Sequence, residues 1–249
     1  MKRVLVYSPA ADSGAVAGSL AGYELVELRS KLELTEAIVS KAPVLCLIVS
    51  QERLSDEMRE FLFSLRTSFP ILEVCVVTPG AESRLPEGYR HIDGSLEGPR
   101  LQEAVARFVS SVTRLDRREH PRYDWPLQGY LSPDRRQWQP FRVRALSSSG
   151  AFMECSGLGP DPGTRMFVRI VFQEHTLTTP CEILPARAAS SNLPPGFGVR
   201  FVELGMLARG IIDGIVRDAL IRSLLEPEQE PEMPTLGGKE LLEAGFELL

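Results

Sequence analysis

The feature that most limits the fold of this 249-residue chain is a change of period near its middle. Up to about residue 115, short apolar runs alternate with stretches of helical spacing; from Trp125 onward the apolar runs continue without them. Arg3 to Tyr7, Glu24 to Leu28, Pro43 to Val49 and Glu73 to Thr78 read as strands rich in Val, Leu and Ile. Between them, Met58, Phe61, Leu62 and Leu65 recur at helical spacing within Asp56 to Ser68. A weaker fifth strand at Tyr89 to Ile92 and a helix from about Pro99 to Leu115 complete five repeats. Strands that alternate with helices imply βαβ units around a parallel sheet.

The second half carries extended runs at Trp125 to Leu131, Phe141 to Leu146, Ala151 to Glu154, Met166 to Phe172, Pro180 to Leu184 and Gly198 to Val202. Turn signals separate them, including Ser132-Pro133-Asp134, the glycine- and proline-rich Gly157 to Gly163, and Leu193-Pro194-Pro195-Gly196. Six strands with no helices between them imply an antiparallel barrel or sandwich. An amphipathic helix follows from Met206 to Leu225, with Leu207, Ile211, Ile212, Ile215, Val216, Leu220 and Leu224 on its apolar stripe and Arg209, Asp213 and Arg217 on another face. Glu226 to Glu232 is an acidic, proline-rich linker without the apolar residues to bury a core. Lys239 to Leu249 regains Leu241, Leu242, Phe246 and Leu248, and reads either as a docking helix or as a disordered end. The expected domains are therefore residues 1–113, 114–204, a helix at 205–225 and a linker with a docking tail at 226–249.

Composition narrows the function classes. Hydrophobic residues at 43% and charged residues at 24% support two units with cores of their own. The net charge of −5 is uneven: residues 1–113 hold 12 basic and 15 acidic side chains, 114–204 hold 12 and 9, and 205–249 hold 4 and 9. Every basic residue of the middle segment is arginine, which favours planar, bidentate recognition of anions. An acidic chain without lysine-rich patches or an aromatic RNA platform argues against general nucleic-acid binding. Val4-Leu5-Val6-Tyr7, after Met1-Lys2-Arg3, is too short for the apolar region of a signal peptide and stops at Ser8-Pro9. No run approaches a membrane span, so a cytoplasmic protein with no membrane insertion is expected. Cys46, Cys75, Cys155 and Cys181 are widely separated and read as free, mostly buried thiols, with no metal and no cofactor expected.

Three separated motifs carry chemistry. They are Arg117-Arg118-Glu119-His120-Pro121-Arg122, Leu146-Ser147-Ser148-Ser149-Gly150 and Gly196-Phe197-Gly198-Val199-Arg200-Phe201. Guanidinium groups fork onto phosphate, read a guanine edge and stack on a base. His120, His91 and His175 have no nucleophile or metal set beside them, and Ser147 to Gly150 lacks the G-x-S-x-G pattern, so no enzyme activity is expected. Trp125 and Trp138 read as core or rim residues.

In this order and spacing the motifs of residues 114–204 resemble those of the PilZ domain, a small β-barrel module best known as a receptor for cyclic di-GMP. The R-x-x-x-R motif is matched by Arg118 to Arg122, and the closing G-x-G-V-R-F pattern by Gly196 to Phe201. The D/N-x-S-x-x-G motif is matched at Ser147 and Gly150 and departs at Ala145, where an acid or amide is expected. The resemblance implies a six-stranded antiparallel barrel and a cyclic di-GMP site formed by Arg117, Arg118, Arg122, Ser147 and Gly150. Arg118 and Arg122 would hold phosphate and guanine, Arg117 would stack as a third cation, Ser147 would donate from the barrel wall, and Gly150 would allow close approach. Asp124 is a neighbouring carboxylate able to stand in for the missing acid.

The first unit resembles the receiver domain of two-component signalling, which implies a flavodoxin-like fold with a five-stranded parallel sheet. Receivers carry paired acids after the first strand, a phosphate-accepting aspartate after the third, Ser or Thr after the fourth and lysine after the fifth. Here Ser8 to Asp12, Ser50-Gln51-Glu52 and Asp93-Gly94 stand after the first, third and fifth strands, and Thr78 alone falls in place. A serine at position 50 forms no acyl phosphate, and magnesium lacks its paired acids. The expectation is a pseudo-receiver used for packing, dimerisation or partner docking. The whole chain then reads as a bacterial signalling adaptor, with cyclic di-GMP, a protein partner or a second copy as its partners. The alternative is a ligand-independent PilZ-like interaction scaffold.

Overall fold

The computed structural model describes residues 3–9, 20, 22–40, 44–80, 85, 87–96, 98–112, 122–157, 159–189, 194–226 and 238–248. The chain forms two compact units, one of residues 1–119 with 220–230, the other of residues 120–219 with 231–249.

The first unit holds strands β1 (Arg3–Tyr7), β2 (Glu24–Leu28), β3 (Val44–Ser50), β4 (Glu73–Thr78) and β5 (Arg90–Asp93). They lie parallel in the order β2-β1-β3-β4-β5, the flavodoxin-like winding. Helices α1 (Lys31–Val39), α2 (Asp56–Ser68) and α3 (Gly98–Ser111) cover it. Strand runs such as Val4-Leu5-Val6-Tyr7 are apolar throughout because both faces are buried. Leu5, Tyr7, Leu47, Val49, Val74 and Val76 meet Leu34 and Ile38 of α1 and Met58, Phe61, Leu62 and Leu65 of α2. Val4, Val6, Cys46, Ile48, Cys75 and Val77 meet Leu101, Val105, Phe108 and Val109 of α3 on the opposite face.

Local sequence sets where these helices begin. Ser30 and Glu33 form a reciprocal cap at the start of α1, with Glu33 N donating to Ser30 Oγ at 3.2 Å and Ser30 N to Glu33 Oε2 at 3.3 Å. Ser55 caps α2 by accepting from Met58 N at 3.1 Å.

The second unit holds β6 (Leu127–Ser132), β7 (Gln139–Ser147), β8 (Gly150–Glu154), β9 (Arg165–Phe172), β10 (His175–Arg187) and β11 (Gly196–Phe201). These six are antiparallel in the order β11-β8-β7-β6-β9-β10, and the pairing of β10 with β11 closes them into a barrel. Closure removes the two sheet edges that an open sheet would expose. Leu131, Val143, Leu146, Met153, Val168, Ile170, Ile183, Phe197 and Val199 point inward and are nearly or fully buried. Both expected architectures, the five-stranded parallel sheet and the six-stranded barrel, are present.

Helix α4 (Met206–Leu225) buries Ala208, Ile212, Ile215, Val216, Ala219 and Leu220. Leu224, in its last turn, belongs to the core of the first unit. One residue departs from the expected apolar stripe: Leu207 is 51% exposed rather than buried.

The C-terminal segment packs on the barrel. A short helix α5 (Gly238–Glu243) leads into β12 (Phe246–Leu248), which pairs antiparallel with His175 to Leu177 of β10. Leu241 and Phe246 are buried, and the Phe246 ring meets Phe172 edge-on with centroids 5.5 Å apart. Edge-to-face aromatic contact adds to the area buried.

All four cysteines are free thiols. Burial pushes Cys46, Cys75 and Cys181 up to about 12, which removes them as nucleophiles at neutral pH. Among the described residues no helix is long and apolar enough to cross a membrane, and no group of His, Cys, Asp and Glu is arranged to hold a metal ion.

Candidate functional site

Of the five expected ligand residues, Arg122, Ser147 and Gly150 are described; Arg117 and Arg118 lie outside the described residues, as does His120. The chain directly after Arg122 is tied to the end of β7. Tyr123 N donates to Leu146 O at 3.1 Å, and Leu146 N donates back to Tyr123 O at 2.9 Å, an isolated antiparallel bridge. Tyr123 is buried and stacks edge-on against buried Trp125, centroids 5.4 Å apart, which anchors this tie in the core. Tyr123 and Leu146 are buried, whereas Arg122 and Asp124 on either side of Tyr123 are exposed.

Ser147 is buried. Its Oγ donates to Gly150 O at 3.1 Å and shares a hydrogen bond with Ser149 Oγ at 3.0 Å. Both bonds brace the β7–β8 turn. Gly150 is required by strand packing: a Cβ there would sit 2.1 Å from Val199 O and 3.3 Å from the Arg200 Cα. Gly196 opposes Glu154 across the same pair of strands and has the same need, with Met153 O at 2.1 Å from a Cβ. The motif glycines thus let β8 and β11 approach closely enough to seal the barrel.

The serine between them has a role that sequence spacing did not suggest. Ser148 is fully buried and its Oγ donates to Asp213 Oδ1 of α4 at 2.5 Å. A charge-assisted bond of this length ties α4 to the β7–β8 turn.

Beside Ala145 the strand is irregular. Pairing between β7 and β8 shifts register between Val143 and Ala145, so Arg144 is the extra residue of a bulge. Bulges re-aim side chains. Here Arg144 Nε lies 3.1 Å from Asp124 Oδ1, an ion pair rather than an aligned hydrogen bond. Burial raises the Asp124 carboxyl above the ordinary aspartate value; Arg144 and then Arg142 pull it back, while Glu154 adds to the rise.

Elsewhere on the barrel the arginines are stacked on rings. Arg135, at a φ of 64°, holds its guanidinium 4.2 Å from the Phe167 centroid, and Arg169 stands 4.2 Å from that of Trp138 while its Nε donates to Thr178 Oγ1 at 3.2 Å. Trp125 is a core residue and Trp138 a half-buried one beneath Arg169.

The polar groups at the carboxyl ends of the first unit's strands bond to one another. Thr78 Oγ1 meets His91 Nε2 at 3.0 Å, and Asp93 Oδ1 accepts from Ser95 N at 2.9 Å, Ser95 Oγ at 2.7 Å and Gly80 N at 3.2 Å. The bonds from Ser95, its backbone N–H first, hold the Asp93 carboxyl below the ordinary range. Asp93 is therefore a turn-forming acid. Asp12 lies outside the described residues, and Glu52 is exposed.

A model of the PilZ domain matches residues 116–218, the barrel together with most of α4. A curated relative, the serine/threonine-protein kinase Pkn1 of Myxococcus xanthus, is 29% identical over 105 residues, which cover 40% of this chain and 15% of that protein. Among solved structures, the inhibitor of motility MotI/DgrA of Bacillus subtilis is 16% identical and aligns over 48% of this chain and 57% of its own with a TM-score of 0.38. The PilZ domain of Escherichia coli YcgR, solved with c-di-GMP, is 16% identical over 45% of this chain and 97% of its own, at a TM-score of 0.36. A CheY-like receiver domain of Methanospirillum hungatei is 16% identical over 44% of this chain and 94% of its own, at a TM-score of 0.35.

Proposed function

We propose that this protein is a signalling adaptor that binds cyclic di-GMP through its PilZ domain and transmits binding as a change in domain arrangement or in partner binding. The observation that carries this reading is the Tyr123–Leu146 bridge, which brings the chain directly after Arg122 to the serine turn of β7 and β8. Two motifs more than twenty residues apart in sequence are thereby joined at one corner of the barrel. The PilZ match over residues 116–218 supports the same ligand.

The chemistry is that of a dianion with two guanines. Arg118 and Arg122 supply charge-assisted donors for phosphate and for the O6 and N7 acceptors of guanine, and Arg117 stacks on a base. Ser147 and Gly150 hold the shape of the turn against which the ligand lies. No bond is made or broken in this reading, so the protein acts as a receptor.

Titration calorimetry with cyclic di-GMP tests it. Wild type gives saturable heat, and Arg118→Ala lowers affinity by about tenfold or more, as the loss of a charge-assisted pair implies. No heat from folded wild type overturns the receptor reading. That outcome leaves the ligand-independent scaffold, which the methyl group of Ala145 at an acceptor position favours. Salt-sensitive binding to any oligonucleotide would instead point to general nucleic-acid binding.

A further inference from the structure

We infer that the first residues of β10 form a strand-docking edge which the chain fills with its own C-terminal segment, and that the same segment of a second copy enters this edge to join two chains. The inference does not rest on the cyclic di-GMP reading. It follows from how the barrel closes. β10 runs from His175 to Arg187, and β11 pairs with it only from Cys181 onward. On the other side, β9 pairs with β10 along His175 to Glu182. His175 to Leu177 therefore lie outside the closing pairing, and their second edge is one that β11 does not reach. β12 covers it, with His175 opposite Leu248, Thr176 opposite Glu247 and Leu177 opposite Phe246.

The segment is built like a docked peptide rather than like a seventh barrel strand. β12 is three residues long and stands last in the sheet, with β10 as its neighbour among the described strands. Two buried side chains anchor the segment: Leu241 in α5, and Phe246, whose ring meets Phe172. Leu242, Glu247 and Leu248 remain exposed. The join is imperfect, because His175 Nε2 is buried with no hydrogen-bond partner among the described residues, and an unpaired buried group lowers the gain from docking. Strand addition with an apolar anchor is the way peptides bind an open sheet edge: main-chain bonds hold the peptide and the pocket selects it. Eleven residues, 227–237, link the segment to the end of α4, so its docking is a tethered association with an effective concentration of about 1 mM. Every copy of the chain carries the same segment and the same edge. What fits within one chain also fits between two, which is the condition for exchange of an element between protomers.

The test uses the full chain. A fluorescent peptide of residues 238–249 binds saturably to the Phe246→Glu chain, whose own segment no longer fills the edge. Wild type binds the same peptide at least about tenfold more weakly, because its tethered segment competes. A peptide carrying Phe246→Ala loses at least about tenfold on the Phe246→Glu chain, as removal of the apolar anchor implies. Leu241→Asn is the second opened chain, with β12 itself unchanged, and hydrogen exchange of β6 and β9 checks that both variants keep the barrel. Exchange between copies is read by Thr176→Cys with Glu247→Cys, a directly opposed pair within reach of a disulfide. On oxidation the bond closes within one chain in dilute protein, and a covalent dimer grows in as the concentration approaches about 1 mM. The inference is overturned if neither folded variant binds the peptide, if the Phe246→Ala peptide binds as well as the native one, or if the disulfide stays within one chain at about 1 mM.

Discussion

The strand ends of the first unit and the β7 corner of the second are both polar, and they differ in what their polar groups face. In the first unit, Thr78 is bonded to His91, and Asp93 accepts three hydrogen bonds from Gly80 and Ser95. In the second, Arg122 is exposed and Asp124, also exposed, pairs with the bulged Arg144. The contrast shows that a polar cluster becomes a candidate site where its charged groups face outward. Asp93 serves its own turn, whereas Asp124 is paired to a side chain and stays 54% exposed.

The comparison is open to attack at four points. The largest effect is expected for Gly150→Ala, since the new Cβ meets a backbone oxygen at 2.1 Å and only movement of a strand relieves the overlap. A loss of about 3 kcal/mol is expected. Hydrogen exchange should show β8 and β11 losing protection while β1 and β3 keep theirs.

Next in size is Arg122→Ala, which lowers cyclic di-GMP affinity by about 10- to 100-fold in calorimetry, the scale of lost charge-assisted bonds. Ser50→Ala and Thr78→Ala in the first unit leave that affinity within about twofold. A comparable loss from either of those two would break the contrast between the units.

Ser148→Ala comes third. It leaves the Asp213 carboxylate without the serine's donor and costs about 1–2 kcal/mol, read as a lower urea midpoint with an unchanged slope.

The smallest effect is a pair of opposite pH dependences. Asp93 has a lowered carboxyl, so its contribution to stability is complete above the unfolded-chain value and is lost as pH falls through the lower native value. Asp124 has a raised carboxyl, so the native state holds that proton more tightly. Its contribution to stability is present at low pH and is lost as pH rises through the raised native value. Asp93→Asn should flatten acid unfolding slightly, and Asp124→Asn should shift it the other way. Burial is the main cause of that rise, with Arg144 and Arg142 opposing it and Glu154 adding to it.

Much of the fold was legible because periodicity is local. A fully apolar Val4 to Tyr7 marks a strand covered on both faces, and the disappearance of helical spacing after Trp125 marks the change to a barrel. The candidate site was legible in part. Its motifs located Arg122, Ser147 and Gly150, while the spacing gave no sign that Gly150 is needed for Val199 or that Ser148 bonds Asp213 sixty-five residues away. Leu207 was misplaced because helical periodicity names a face without saying where the surface it packs against ends.

The sequence by itself determined the two architectures, the arginine-rich character of the second unit and the absence of receiver acids from the first, since each of these follows from residue identity and short-range spacing. Tertiary structure alone decided that Tyr123 bridges to Leu146 and that Arg144, at a bulge, reaches Asp124. The physical reason is that strand register and bulges are set by pairings between distant segments. A shift of one residue in such a pairing turns every side chain to the other face.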